Sequence, residues 1–229
     1  MLALSGVSAS AVTVDLTPGA GSSGSVNGAL FEFDDQQPFG TGKVQSFLRI
    51  RASGSEEGYN TDNPDPAFDE VPPAGGFTRD LRFGELAQTA GSFLFTLDIN
   101  EPSGGSQALI SLDALQIYVS DTGGQNTSML SDLGTLIYDL DAGGDSVILL
   151  DFNNAPGSGV SDMLMTLPAS LFAGVSPEDF VVLYTRFGDT DRSGSGYEEW
   201  AHVIPEPKSL SLLLAGLAGF SVVRRARRG

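Results

Sequence analysis

The sequence contains no cysteine and a single histidine, His202. The first absence excludes a disulfide framework and any thiolate metal site. The second leaves too few nitrogen ligands for a zinc centre and makes any Ser-His-Asp triad depend on one imidazole. No Gly-x-Ser-x-Gly elbow accompanies that histidine, and the phosphate-binding Gly-x-x-x-x-Gly-Lys-Ser/Thr loop is missing, since Gly42-Lys43 runs into Val44. His202 is expected as a strand residue near the end of the domain, not as a catalytic base. Basic residues are also scarce, with 12 Lys and Arg against 29 Asp and Glu and a net charge of −17. Five of the twelve (Lys208, Arg224, Arg225, Arg227 and Arg228) lie in the last 22 positions, which hold no acid. Residues 1–207 therefore carry 7 basic residues against all 29 acids, a net charge of −22. Such a body repels phosphate backbones and anionic headgroups, which argues against nucleic acid as a partner. It attracts divalent cations.

What is present points to an all-β fold. The 29 glycines and 12 prolines supply many turns, and 41% hydrophobic residues supply a core. Short β-rich runs alternate with turn clusters such as Ser103-Gly104-Gly105, Asp121-Thr122-Gly123-Gly124 and Asp141-Ala142-Gly143-Gly144-Asp145. The runs predict strands over 12–16, 29–33, 44–51, 92–99, 108–112, 115–120, 135–138, 146–152, 163–167, 180–187 and 197–203. Phe93, Phe95, Leu97 and Ile99 alternate with Leu94, Thr96 and Asp98, and Leu115, Ile117 and Val119 alternate with Gln116, Tyr118 and Ser120. A period of two buries one face of a strand. Many short strands at close spacing predict a single two-sheet β-sandwich, jelly-roll-like, over residues 12–203. A short helix is expected at Pro168–Ala173, and 60–76 reads as a polar, proline-rich loop.

The two ends carry instructions of another kind. Ala9-Ser10-Ala11 has the small-x-small form of a signal-peptidase site, so residues 1–11 read as the remnant of a signal peptide. At the other end Pro205-Glu206-Pro207 holds the backbone extended. Ser209 to Val223 follows as an apolar run whose helix spans about 22 Å, short against a hydrocarbon core of about 30 Å. Arg224, Arg225, Arg227 and Arg228 then hold the end on the cytoplasmic side. The order of Pro-Glu-Pro, short hydrophobic helix and arginine-rich terminus over residues 204–229 resembles the PEP-CTERM sorting signal of Gram-negative bacteria. The resemblance implies recognition and tail removal by an exosortase of the inner membrane. It also implies release or transfer of the body to the cell surface or extracellular space, in systems linked to exopolysaccharide and biofilm. The body segments 95–100, 111–118, 180–188 and 196–200 are similar to bodies that accompany such tails, which carries no activity over.

Within the body, Asp189-Thr190-Asp191-Arg192-Ser193-Gly194 sets oxygens at alternating positions before a glycine, the spacing of a calcium loop with Asp189, Asp191 and Ser193 as ligands. Asp139, Asp141 and Asp145 form a second such pattern. The alternative for both is an Asp/Gly turn in which Asp caps its own backbone. The remaining carboxylates are expected on a solvated acidic surface, with Glu198 and Glu199 pointing to opposite faces of a strand. Trp200 is expected in the core. The leading functional expectation is a non-enzymatic structural or interaction protein. An exposed aromatic platform at Tyr197 or Trp200 would favour a carbohydrate-binding module, with extracellular polysaccharide as partner. A pocket of convergent carboxylates would favour a hydrolase.

Overall fold

The computed structural model describes residues 10–36 and 44–204. The sorting-tail residues Pro205, Glu206, Pro207, Arg224, Arg225, Arg227 and Arg228, the expected tail helix, and most of the expected signal-peptide remnant lie outside the described residues.

Among the described residues the chain forms twelve strands: β1 (Thr13–Asp15), β2 (Ser23–Val26), β3 (Ala29–Phe33), β4 (Val44–Ile50), β5 (Glu56–Tyr59), β6 (Ser92–Asp98), β7 (Leu109–Ser120), β8 (Thr135–Asp139), β9 (Val147–Asp151), β10 (Met163–Pro168), β11 (Phe180–Phe187) and β12 (Glu198–Val203). They build two six-stranded sheets. The first runs β1-β9-β7-β11-β5, with β8 also paired to β7; the second runs β2-β3-β10-β6-β12-β4. All pairings are antiparallel except β1 with β9. Edge strands β1, β2 and β5 are only three or four residues long, which limits the unpaired backbone offered to other chains.

The expected sandwich is the observed one. Phe93, Phe95 and Leu97 of β6, Met163 and Met165 of β10 and Trp200 of β12 pack against Ile110, Leu115 and Ile117 of β7 and Val181 and Leu183 of β11 in one core between the sheets. Trp200 is fully buried there, as expected of it. At one margin of this core Phe172 stacks on Phe83 (5.3 Å between centroids) and meets Phe93 edge-on at 5.0 Å. Phe172 ends a single 3-10 turn, Ala169–Phe172, where a short helix is expected.

Three features depart from the sequence pattern. The runs 108–112 and 115–120 form one strand, β7, because Asp113 is absorbed as a bulge: Arg186 pairs with Ala114 and Phe187 with Leu112, leaving Asp113 unpaired. Strands β2 and β5, of sequence Ser-Gly-Ser-Val and Glu-Glu-Gly-Tyr, carry no apolar alternation and form through pairing with β3 and β11. The loop after β5 is not merely a polar excursion. Its Ala67 and Phe68, with Leu130 and Leu133, cover the outer face of the first sheet over Tyr59, Ala114, Tyr118, Val182 and Tyr184. Phe68 lies 5.9 Å from the Tyr59 ring and 6.0 Å from that of Tyr184. The first sheet is thus buried on both faces where β5, β11 and β7 lie side by side.

Candidate functional site

The expected solvated acidic surface is only part of the picture. Glu56, Glu70, Asp98, Glu101, Asp113, Asp162, Glu198 and Glu199 are all buried. A buried carboxylate persists only with hydrogen-bond donors, a counter-charge or a proton, so each needs an account.

Four have clear partners. Glu199 forms an ion pair with Arg49 and accepts from the Ser46 hydroxyl. Glu70 accepts the N–H groups of Tyr59 (2.9 Å) and Phe68 (2.8 Å), which pins the loop over the outer face. Asp113, turned out of the ladder by its bulge, accepts from the Ser111 hydroxyl (2.6 Å) and from the N–H groups of Asp189 (2.8 Å) and Thr190 (3.2 Å). Asp98 accepts from the Gly159 N–H (2.7 Å) and the Asn100 side-chain amide (3.0 Å). Burial still pushes Asp98 up to about 7. Asp162 beside it is pushed up to about 9, by burial first and then by Asp98. One Asp162 oxygen accepts the Ile99 N–H (2.8 Å) and the other has no partner.

The remaining three meet at one point. Glu56 opens β5 in the first sheet, Glu198 opens β12 in the second, and Glu101 follows β6. They are 1%, 0% and 3% exposed, and one carboxylate oxygen of each lies within 4.8 Å of the others. Glu101 accepts from the Gly194 N–H (2.6 Å) and the Ser193 hydroxyl (3.3 Å), and Glu56 accepts from the Ala52 N–H. Both oxygens of Glu198 and one of Glu56 have no hydrogen-bond donor. Burial, then the neighbouring Glu56 and Glu101, holds Glu198 well above the ordinary carboxylate range, and burial raises Glu101 as well.

The backbone around this cluster is packed tightly enough to require glycine. Gly54 and Ser193 exchange both backbone hydrogen bonds at 2.9 Å. A side chain on Gly188, at φ +91°, would run into the Gly54 carbonyl, and one on Gly196 would run into the Asn100 carbonyl. A surface cleft of about 480 Å³, lined by Pro102, Thr190, Asp191, Arg192, Ser193 and Gly194, shares Ser193 and Gly194 with the cluster.

The segment expected as a calcium loop lies beside this cluster, and its Asp189 and Ser193 side chains take separate partners. Asp189 pairs with Arg186 (3.0 Å) and accepts from the Ser55 hydroxyl (3.0 Å). The N–H of Asp191 donates to Ser111 (2.9 Å), while its carbonyl accepts the Ser111 N–H (3.1 Å). Ser193 alone of the three turns to the buried glutamates. In the second pattern Asp139 accepts the Asp141 N–H (2.9 Å) and Asp141 the Ser146 N–H (2.8 Å), which is the geometry of Asp-capped turns. Glu198 and Glu199 take different partners, as strand alternation requires, but neither is solvated. The signal for Glu56 and Glu101 in the sequence is nil, for they are ordinary acids far apart along the chain.

The arrangement offers oxygen ligands and protons but no room for a substrate. Glycoside hydrolysis needs two carboxyl groups flanking an accessible bond, and these three face one another in a sealed space. His202 is likewise enclosed: it is 1% exposed, neither ring nitrogen has a partner, and burial holds it down to about 4. The Tyr197 ring is partly exposed and is engaged by the guanidinium groups of Arg49 (5.1 Å) and Arg51 (4.7 Å). Compared with known proteins, the chain matches no family model, no curated protein and no solved structure.

Proposed function

We propose that this chain is an exported protein of the cell surface or extracellular matrix, delivered through its C-terminal segment and acting by structure or interaction, not by catalysis. The observation that carries the proposal is the run Pro205-Glu206-Pro207, an apolar stretch to Val223, and the arginines Arg224, Arg225, Arg227 and Arg228. Each part has a separate job. The prolines present an extended peptide to a protease, the apolar stretch parks it at the membrane, and the arginines oppose outward passage. The fold is compatible with that use, since β12 ends at Val203 and the exposed Ile204 alone separates it from Pro205. The processing partner is then an exosortase of the inner membrane. Support for a non-catalytic body comes from the convergent glutamates, which are sealed from any substrate-sized space.

A second reading, contact with extracellular polysaccharide, is favoured by one surface feature. Phe77 and Tyr197 are partly exposed, and Arg49 lies 3.3 Å from the centre of the Phe77 ring, with Arg51 on Tyr197 next to it. Arg49 is paired with Glu199, so the exposed Arg51 supplies the positive charge beside these rings, a chemistry suited to an acidic glycan.

The test of the main proposal is processing in a host with its exosortase present or deleted. Glu206→Ala should leave membrane insertion intact and let uncleaved precursor accumulate in the inner membrane, read by immunoblot of fractions. A wild-type tail that stays intact in both hosts identifies an ordinary anchor and ends the proposal.

A further inference from the structure

We propose that Glu56, Glu101 and Glu198, with the Ser193 hydroxyl beside them, form a buried divalent-cation site, occupied by calcium, that staples the two sheets together at one end of the sandwich. Distance is the first support. Calcium–oxygen bonds run about 2.3–2.6 Å, so two ligands on opposite sides of one ion lie up to about 5.2 Å apart. The three chosen oxygens all fall within 4.8 Å of one another. Every pair of them can share one ion.

The second support is independent of clustering. Glu198 is fully buried, and neither of its oxygens has a hydrogen-bond donor. Its polar neighbours are the carboxylates of Glu56 and Glu101. Ionised carboxylates do not stay at such range without positive charge between them. One oxygen of Glu56 is also without a donor, so three buried acceptor atoms lack a partner at the same place. A cation satisfies them together.

Ligand chemistry selects the ion. The donors are all hard oxygens, with no cysteine in the chain and the single histidine, His202, buried against Phe47 and outside the group, which argues against a zinc set. Magnesium keeps several waters and demands a near-ideal octahedron, whereas calcium accepts six to eight oxygens in irregular arrangements. Three carboxylates supply up to six. The N–H groups of Ala52 and Gly194, already donating to Glu56 and Glu101, offset the negative charge that a divalent ion leaves over. The cleft that includes Ser193 and Gly194 lies directly beside the cluster, with those two residues between it and Glu101.

The mechanical consequence follows from connectivity. One ion would join the start of β5 in the first sheet to the start of β12 and the end of β6 in the second, and would fix the 193–194 segment between β11 and β12. That link replaces mutual repulsion of three carboxylates with a shared bond.

The test uses the full-length chain, stripped with chelator and held in mild non-ionic detergent, with calcium or magnesium chloride as the probe. At a hundredfold excess over its Kd, calcium should raise Tm by about 5–10 °C, because a ligand bound only by the native state stabilises it by mass action. Glu198→Gln should abolish the rise while still folding, since the amide removes the repulsion. Asp189→Asn combined with Asp191→Asn should retain the rise, because neither carboxylate is one of the three that converge. The reverse pattern, with the response lost in the double variant and kept in Glu198→Gln, moves the site to the surface turn and overturns the proposal. So does a stripped wild-type protein that ignores calcium while Glu198→Gln is the more stable at neutral pH. That outcome identifies carboxyls that share protons. A magnesium shift as large as that of calcium overturns the choice of ion.

Discussion

Replacing Asp162 with Asn should remove one distinct share of a pH dependence built into the core, leaving the share that Asp98 contributes. Asp162 is 2% exposed, its carboxyl is pushed up to about 9, and an unfolded aspartate titrates near 3.8. Between those values the folded state holds a proton that the unfolded state has released. Stability is therefore complete below about pH 4 and is lost as the pH rises toward the folded value. Each unit costs about 1.4 kcal/mol, so the step from about pH 5 to about pH 7 removes roughly 2.7 kcal/mol through this residue alone. For a domain of this size that is a fall in Tm of about 5–10 °C. The amide of Asp162→Asn would keep an acceptor for the Ile99 N–H and place its NH2 where the unpartnered oxygen now lies. The assay is thermal unfolding followed by circular dichroism at several pH values and constant ionic strength, with chelator present throughout. Wild type should lose about 2–3 kcal/mol more than Asp162→Asn over that interval and should be the less stable of the two above about pH 7. Parallel pH profiles for the two proteins would mean that Asp162 is ionised in the fold, and the reasoning would be refuted.

Three further outcomes follow from the packing. Trp200→Ala, at a fully buried position between the sheets, should cost about 3–5 kcal/mol by urea midpoint; a cost below about 1 kcal/mol would contradict its place in the core. Tyr59→Phe removes a hydroxyl that donates to the Thr127 carbonyl (3.1 Å) and accepts the Thr127 N–H (2.8 Å). It should lower stability by about 1–2 kcal/mol, and an unchanged midpoint would show that the β7–β8 connection is not held to Tyr59 there. Gly188→Ala combines a left-handed φ of +91° with a collision against the Gly54 carbonyl, so it should fail to fold or melt far below wild type; a wild-type melting curve would place the 54–193 crossing elsewhere.

How far these features could be read in advance depends on whether their cause is local. β3 and β11 occupy the spans that the apolar runs predict, because residues 29–33 and 180–187 carry enough β-branched and aromatic side chains to declare themselves. β6 announces even its inward face through Phe93, Phe95 and Leu97. β2 and β5 announce nothing, since Ser-Gly-Ser-Val and Glu-Glu-Gly-Tyr become strands only when a neighbour supplies the ladder. The same holds for the loop after β5. Phe68 is one aromatic in a polar stretch, and its role as a cover for Tyr59 and Tyr184 exists only once β5 and β11 lie side by side.

The division at the candidate site is sharper. By itself the sequence determined an all-β sandwich, a buried Trp200, a scarcity of histidine and cysteine that narrows the ligands to oxygen, and the order of Pro-Glu-Pro, apolar run and arginines at its C-terminal end. It also marked the 189–194 turn, whose Ser193 faces the buried glutamates. Tertiary structure alone decided that Glu56, Glu101 and Glu198 converge, that Asp189 turns to Arg186 and that Ser193 turns inward. The physical reason is that period and turn chemistry act over a few residues, whereas a buried charge cluster is made by strand pairing between distant segments. Until β5 and β12 are stacked in opposite sheets, their opening glutamates are two ordinary acids among 29.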